Sequence, residues 1–135
     1  MKKILFVCVE NAGRSQMAEA FAKHYGNSKV EAISAGTMPS SEINPIVIQV
    51  MREKGIDISK NIPKQITNQM VQEADVIIVM GCGAQGFCPA PLLGKVIDWR
   101  IEDPKGKQIE KMREIRDEIE KKVRELVQEI GYWNI

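Results

Sequence analysis

In the stretch Cys8-Val9-Glu10-Asn11-Ala12-Gly13-Arg14-Ser15, five residues separate a thiol from a guanidinium. Together the two groups could hold a tetrahedral oxyanion and attack it. A guanidinium presents a planar fork that binds two oxygens of such an anion at once, and the thiolate is the nucleophilic form of cysteine. Gly13 lets the backbone approach a ligand closely, and Ser15 offers a hydroxyl donor. A short Cys-to-Arg spacing also arises by chance, so its place in the chain must carry the inference. Where a loop runs from a strand end into a helix start, its backbone N–H groups turn inward and the helix dipole adds positive charge there. In that setting Val9, Glu10, Asn11, Ala12, Gly13, Arg14 and Ser15 form an anion nest, and the sulfur of Cys8 is favoured as thiolate. The competing reading is a buried strand-end cysteine with an arginine paired at the surface.

Two further thiols, Cys82 and Cys88, lie in Gly81-Cys82-Gly83-Ala84-Gln85-Gly86-Phe87-Cys88-Pro89, whose glycines allow large backbone movement. They fit a redox pair, a pair of inert core thiols, or part of a zinc site. Zinc would need a fourth ligand, and His24, the one histidine, falls on a helix beginning near Ser15, where a surface role suits it better. Asp103 precedes Pro104, whose fixed backbone suits a loop that aims a carboxylic acid over the nest. Asp98 is the competing carboxylate, but its place at a strand end suits a structural hydrogen bond.

The elements that must position these groups alternate between apolar runs and helical patterns. Ile4 to Val7 reads as a strand covered on both faces, ending at Cys8. A helix follows from about Ser15, with Met17, Ala18, Phe21 and Ala22 facing inward and Gly26 at its C-terminal cap. Val30 to Ala35 is a second strand, Gly36 to Ile43 a polar loop, and Asn44-Pro45 the start of a helix reaching Gly55. Thr67 caps a short helix carrying Met70 and Val71, Val76 to Met80 is the strongest strand signal, and Lys95 to Asp98 is a weaker fourth strand. From Gln108 to Ile130 apolar residues recur at helical spacing, and Gly131 marks the end. Strands joined by helices lie parallel, which predicts an α/β fold with one four-stranded parallel sheet and helices on both faces. Ligands of such sheets bind beyond the carboxyl ends of the strands, the edge to which Cys8, Cys82 and Asp103 all belong.

At 135 residues the chain is expected to form a single domain over positions 1–135. Its net charge of +1 gives no general attraction to nucleic acid or anionic lipid, so an anion must be captured by local geometry. No apolar run is long enough to span a bilayer and no export signal opens the chain, which predicts a cytoplasmic protein with reduced thiols. A small domain with no obvious exposed apolar stripe is expected to be a monomer.

The segments CVENAGRSQMAEA, ISAG at Ile33 to Gly36, the Cys82/Cys88 stretch, and EDPKGK at Glu102 to Lys107 together resemble the low-molecular-weight protein tyrosine phosphatase superfamily, and within it the thioredoxin-coupled arsenate reductases. The resemblance runs through essentially the whole chain. It implies a flavodoxin-like fold, Cys8 as nucleophile, Arg14 as oxyanion clamp and Asp103 as general acid. It further implies a relay in which Cys8 attacks arsenate, Cys82 takes over the Cys8 sulfur, and Cys88 attacks Cys82. The final Cys82/Cys88 disulfide would be reduced by thioredoxin as external reductant, with no tightly bound cofactor and no metal. Asn11, Glu19 and Ser34 match positions that in some relatives support the loop or bind a monovalent cation. The fourth, acidic position of that cation site is absent, with Lys64 and Gln65 in its neighbourhood, so polar support of the loop is the simpler role.

Two departures from the family pattern stand out. Gly13 occupies a position where many relatives carry a cysteine, and the relay pair is one residue closer than usual. The alternative activity is phosphatase action on phosphomonoesters, since phosphate and arsenate are near-isosteres. Against a dedicated tyrosine phosphatase, Gly36 to Ile43 has no aromatic residue and Lys105-Gly106 follow the Asp-Pro pair. A third reading, of another class, is a non-catalytic redox or oxyanion-binding module.

Overall fold

A computed structural model of the chain describes residues 1–81, 96–103, 106 and 108–133, with backbone alone at 132 and 133. Its strands are β1 (Lys2–Cys8), β2 (Val30–Gly36), β3 (Val76–Val79) and β4 (Val96–Asp98), and its helices are α1 (Arg14–Gly26), α2 (Pro45–Arg52), α3 (Asn68–Glu73) and α4 (Ile109–Trp133). The strands form one sheet in the order β2-β1-β3-β4, and every pairing is parallel. The chain leaves β1 toward β2 on one side and returns to β3 on the other. The carboxyl ends of β1 and β3 therefore flank the switch point at which open α/β sheets take their ligands.

The continuous apolar run of β1 follows from its central place. Ile4, Phe6 and Cys8 face a core shared with α1, α2 and α4, whereas Leu5 and Val7 face a second cluster with Ile77, Val79 and residues of α3. Helices thus cover both faces. Large side chains such as Phe6, Phe21, Met51 and Met112 are fully buried, each contributing about 1.5–3 kcal/mol relative to exposure. The Phe6 ring also meets Trp99, centroids 6.0 Å apart, which ties the end of β4 to the middle of β1.

Two helix starts follow the capping chemistry of their residues. The Asn44 side chain accepts from the Ile46 N–H at 2.9 Å ahead of Pro45, and the Thr67 hydroxyl accepts from the Met70 N–H at 3.2 Å. Helix ends depart more from expectation. Helix α2 stops at Arg52, short of Gly55, which turns with φ +76°. The left-handed residue after α1 is Asn27, at φ +48°, and Gly26 remains the last helical residue. Gly131 does not end α4, which continues to Trp133. One glycine costs a helix about 1 kcal/mol, less than the burial of Leu126, Val127 and Ile130 on the preceding turns returns.

Candidate active site

Cys8 is the last residue of β1 and Arg14 the first of α1, so the loop between them lies where the sheet pattern requires. Its peptide planes are set from outside the loop. The carbonyls of Cys8, Val9, Glu10 and Ala12 accept N–H bonds from Thr37, Met38, Ser40 and Asn44, at 3.2, 2.8, 2.9 and 3.0 Å. The Asn11 carbonyl accepts from Gln16 Nε2 at 3.1 Å. In a trans peptide the N–H of residue i+1 points opposite to the carbonyl of residue i. Five carbonyls turned outward therefore turn the N–H groups of Val9, Glu10, Asn11, Ala12 and Gly13 inward. The Asn11 N–H bears this out by donating to Cys8 Sγ at 3.2 Å. Helix α1 begins behind Gly13 with no side-chain cap, which adds its own first amides to the same end.

Asn11 holds the loop from below. It is fully buried with φ +52°, a conformation asparagine tolerates better than most residues. Its Oδ1 accepts from the Lys64 backbone N–H at 2.8 Å and from Gln16 Nε2 at 3.0 Å. A backbone N–H can only donate, which fixes the amide orientation and directs Nδ2 at Ser15 Oγ, 2.7 Å away. Ser15 Oγ therefore accepts from Asn11, and its own proton is free for Cys8 Sγ at 2.8 Å. Two donors thus converge on the sulfur, an arrangement that supports negative charge there. Gln16 is in turn held by Asn61, whose Nδ2 donates to Gln16 Oε1 at 3.1 Å.

Arg14 is buried, and its Nη1 donates to the carbonyls of Met80, Gly81 and Ile101 at 3.1, 3.3 and 2.9 Å. Its Nη2 lies 4.0 Å from Asp103 Oδ2. Cys8, Arg14 and Asp103 all line one cavity of about 550 Å³, with residues of the loop and the segment from Met38 to Pro45 as its walls. Asp98 instead accepts from the Arg100 N–H at 2.8 Å as a turn-forming carboxylate. Such a cavity can bind a tetrahedral oxyanion, present a sulfur nucleophile below it and a carboxyl group beside it. Cys82 and Cys88 lie outside the described residues.

The cation position takes a different form from the one the family pattern offers. Glu19 Oε1 accepts from Ser34 Oγ at 2.6 Å and faces Lys64 Nζ at 3.7 Å, while Oε2 pairs with Lys23 Nζ at 2.7 Å. Two ammonium groups supply the positive charge at this carboxylate, and Asn11 is committed to Ser15, Gln16 and Lys64. A monovalent cation there is unsupported. Among the described residues no group of three or more His, Cys, Asp or Glu could hold a metal ion, and no helix is long and apolar enough to cross a membrane. His24 is exposed on α1, edge-on to the Tyr25 ring at 4.8 Å.

Sequence reasoning missed Gly36 and Gly81. A Cβ on Gly36 would lie 2.5 Å from the Val9 carbonyl oxygen and 3.0 Å from the Asn11 nitrogen, so the loop packs directly on this glycine. The parallel register that sets Gly36 beside Cys8 was the available signal. Gly81, at φ +122°, sits against Arg14 in the same way.

The low molecular weight phosphotyrosine protein phosphatase family model matches residues 3–132. A putative arsenate reductase of Halobacterium salinarum is 37% identical over 96% of this chain and 93% of its own length. A glutaredoxin arsenate reductase of Synechocystis is 40% identical over 97% of this chain and 100% of its own. Among solved structures, an arsenate reductase in the phosphate binding state superposes with a TM-score of 0.86 at 38% identity, covering 96% of this chain and 99% of the other. The thioredoxin-dependent arsenate reductase of Corynebacterium glutamicum gives 0.81 at 40% identity, over 98% of this chain and 63% of that one. The YwlE arginine phosphatase of Geobacillus stearothermophilus gives 0.88 at 28% identity, over 98% and 94%.

Proposed function

The chain belongs to the low molecular weight phosphotyrosine protein phosphatase family, and from that premise we propose that it is a thioredoxin-dependent arsenate reductase. The observation that carries the oxyanion chemistry is Cys8 Sγ, hydrogen-bonded by Asn11 and Ser15, in one cavity with Arg14 and Asp103. The likeness to arsenate reductases at 37–40% identity over nearly the whole chain supports arsenate as the oxyanion.

In this reading the amides of the loop and Arg14 hold arsenate over Cys8. The thiolate forms a sulfur–arsenic bond while an arsenate oxygen, protonated by Asp103, leaves as water. Cys82 then attacks the Cys8 sulfur. The sulfur–arsenic bond breaks with its electron pair going to arsenic, which departs as arsenite, and a Cys8/Cys82 disulfide remains. Cys88 attacks Cys82, returning Cys8 as thiolate and leaving a Cys82/Cys88 disulfide. Two electrons from the thioredoxin dithiol restore the starting thiols. The enzyme would act as a one-domain monomer in the cytoplasm, where such thiols stay reduced between turnovers.

The test follows NADPH oxidation with thioredoxin, its reductase and arsenate, for wild type and Cys82→Ser. Turnover by wild type that Cys82→Ser loses is expected; equal turnover by both would overturn the relay. A second reading, hydrolysis of phosphomonoesters through a Cys8 phosphoenzyme, is favoured by the likeness to the arginine phosphatase and by a cavity with room for an organic group beside the oxyanion. Aryl phosphate hydrolysis without arsenate-dependent NADPH use would select it. Activity in neither assay would select a non-catalytic redox or oxyanion-binding module.

A further inference from the structure

Arg14 meets the cavity with only part of its guanidinium. Nη1 carries two hydrogens, and three carbonyl oxygens converge on it, those of Met80, Gly81 and Ile101. This nitrogen is fully committed to backbone. The edge left for a ligand is the one formed by Nε and Nη2, and Nη2 is the nitrogen nearest Asp103. The carbonyl cradle belongs to two chain segments. The Met80 N–H donates to the Val7 carbonyl at 2.9 Å, and the Ile101 N–H donates to the Met80 carbonyl at 3.0 Å, so both segments are anchored to the sheet. Their closure around Nη1 requires the geometry of Gly81. Its φ of +122° is one that side-chain-bearing residues rarely adopt, and a Cβ there would lie 2.7 Å from the Ile101 oxygen and 3.0 Å from Arg14 Nη1. Neither Gly81 nor Ile101 lines the cavity.

We infer that Gly81 is a positioning residue for oxyanion capture, acting through Arg14; the inference rests on the reading of Arg14 as the oxyanion clamp. By leaving room for three carbonyls to fix Nη1, it aims the Nε–Nη2 edge at the cup. An added methyl group would push Nη1 or the Ile101 carbonyl aside and rotate the fork away from the ligand. The sulfur keeps its own donors, the Asn11 N–H and the Ser15 hydroxyl, whereas the atoms nearest an added Cβ on Gly81 belong to Ile101 and Arg14.

The experiment measures inorganic phosphate binding to the full chain as protection of Cys8 from iodoacetamide, for wild type, Gly81→Ala, Arg14→Lys and the double variant. Gly81→Ala should weaken phosphate binding on the order of tenfold or more, while Cys8 alkylation without phosphate stays within about twofold of wild type. The double variant should bind no more weakly than Arg14→Lys alone, because the glycine acts only through the fork. Wild-type affinity in Gly81→Ala, or additive losses in the double variant, would overturn the inference. Unchanged binding in Arg14→Lys would instead overturn the clamp reading itself. Should Gly81→Ala fail to fold, nitrogen-15 NMR of the wild-type arginine side chains decides. A guanidinium held through Nη1 shows hindered rotation with and without phosphate, and a freely rotating Arg14 would refute the cradle.

Discussion

Asn11→Asp should slow Cys8 chemistry sharply while leaving the fold nearly intact, because it reverses one proton. The substitution is close to isosteric, and aspartate also tolerates positive φ. The retained Oδ1 keeps the Lys64 and Gln16 contacts, so the loop geometry is preserved, while an ionised carboxylate in this fully buried place costs a few kcal/mol of stability. What changes is the atom 2.7 Å from Ser15 Oγ, which becomes an acceptor in place of a donor. Ser15 then gives its proton to the introduced carboxylate and withdraws it from Cys8 Sγ, 2.8 Å away on its other side. Loss of a hydrogen bond to a charged group costs about 1.5–3 kcal/mol. The added negative charge also lies within about 5.5 Å of the sulfur, a repulsion of about 3 kcal/mol at an effective dielectric of 20. The two terms together amount to about 4.5–6 kcal/mol against negative charge on the attacking sulfur. A less stabilised sulfur anion is intrinsically more nucleophilic, so only about half of this reaches the rate. The expected outcome is alkylation of Cys8 by neutral iodoacetamide slowed roughly 30- to 100-fold, read by mass spectrometry at one fixed pH for all variants. Ser15→Ala removes only the hydrogen bond and should slow it roughly three- to tenfold. Wild-type alkylation in Asn11→Asp, or a smaller effect than in Ser15→Ala, would refute the assigned direction of the Ser15 proton.

Gly36→Ala sets a methyl group against the Val9 oxygen at 2.5 Å and the Asn11 nitrogen at 3.0 Å. It should cost about 1–3 kcal/mol by overpacking, lowering the urea midpoint and phosphate affinity together; a variant that loses neither would show that the loop does not rest on this glycine. Hydrogen bonds from Arg113 and then Arg116 hold the Glu53 carboxyl at about 2, below its ordinary 4.5. A carboxyl depressed in the folded state stabilises it above the unfolded value and loses that contribution as pH falls from about 4.5 toward 2. Glu53→Gln should therefore lose less stability than wild type between pH 5 and pH 3 in urea melts (about the window of the shift). Parallel losses in the two proteins would contradict the assignment.

The positions of Cys8 and Arg14 were legible because a switch from strand to helix periodicity around a glycine-bearing loop has few structural solutions. The caps at Asn44 and Thr67 were legible for a similar reason, since their chemistry is local. What escaped was long-range. Nothing near Asn11 in the chain signals that its side chain receives the backbone of Lys64, 53 residues on, or that this fixes a serine proton. Gly36 and Gly81 look like ordinary loop glycines until the sheet register and Arg14 are placed beside them. Lys64 was read as the lack of an acidic cation ligand, whereas its ammonium stands opposite Glu19 and brings the positive charge itself. Helix α1 defied the one-sided pattern expected of it. Gln16 and Glu19 are buried among Asn11, Asn61, Ser34 and Lys64, partners that periodicity cannot foresee.

The segment from Thr37 to Asn44 bears on what counts as the functional motif. Four of its N–H groups orient the peptide planes of the Cys8–Arg14 stretch, so that contiguous signature is only half of a two-piece object. Grafting the signature alone onto another strand and helix should transfer the sulfur and the arginine but not the ring of inward amides. Engineering or searching for this chemistry elsewhere calls for both pieces at their mutual register, however far apart they fall in a different chain.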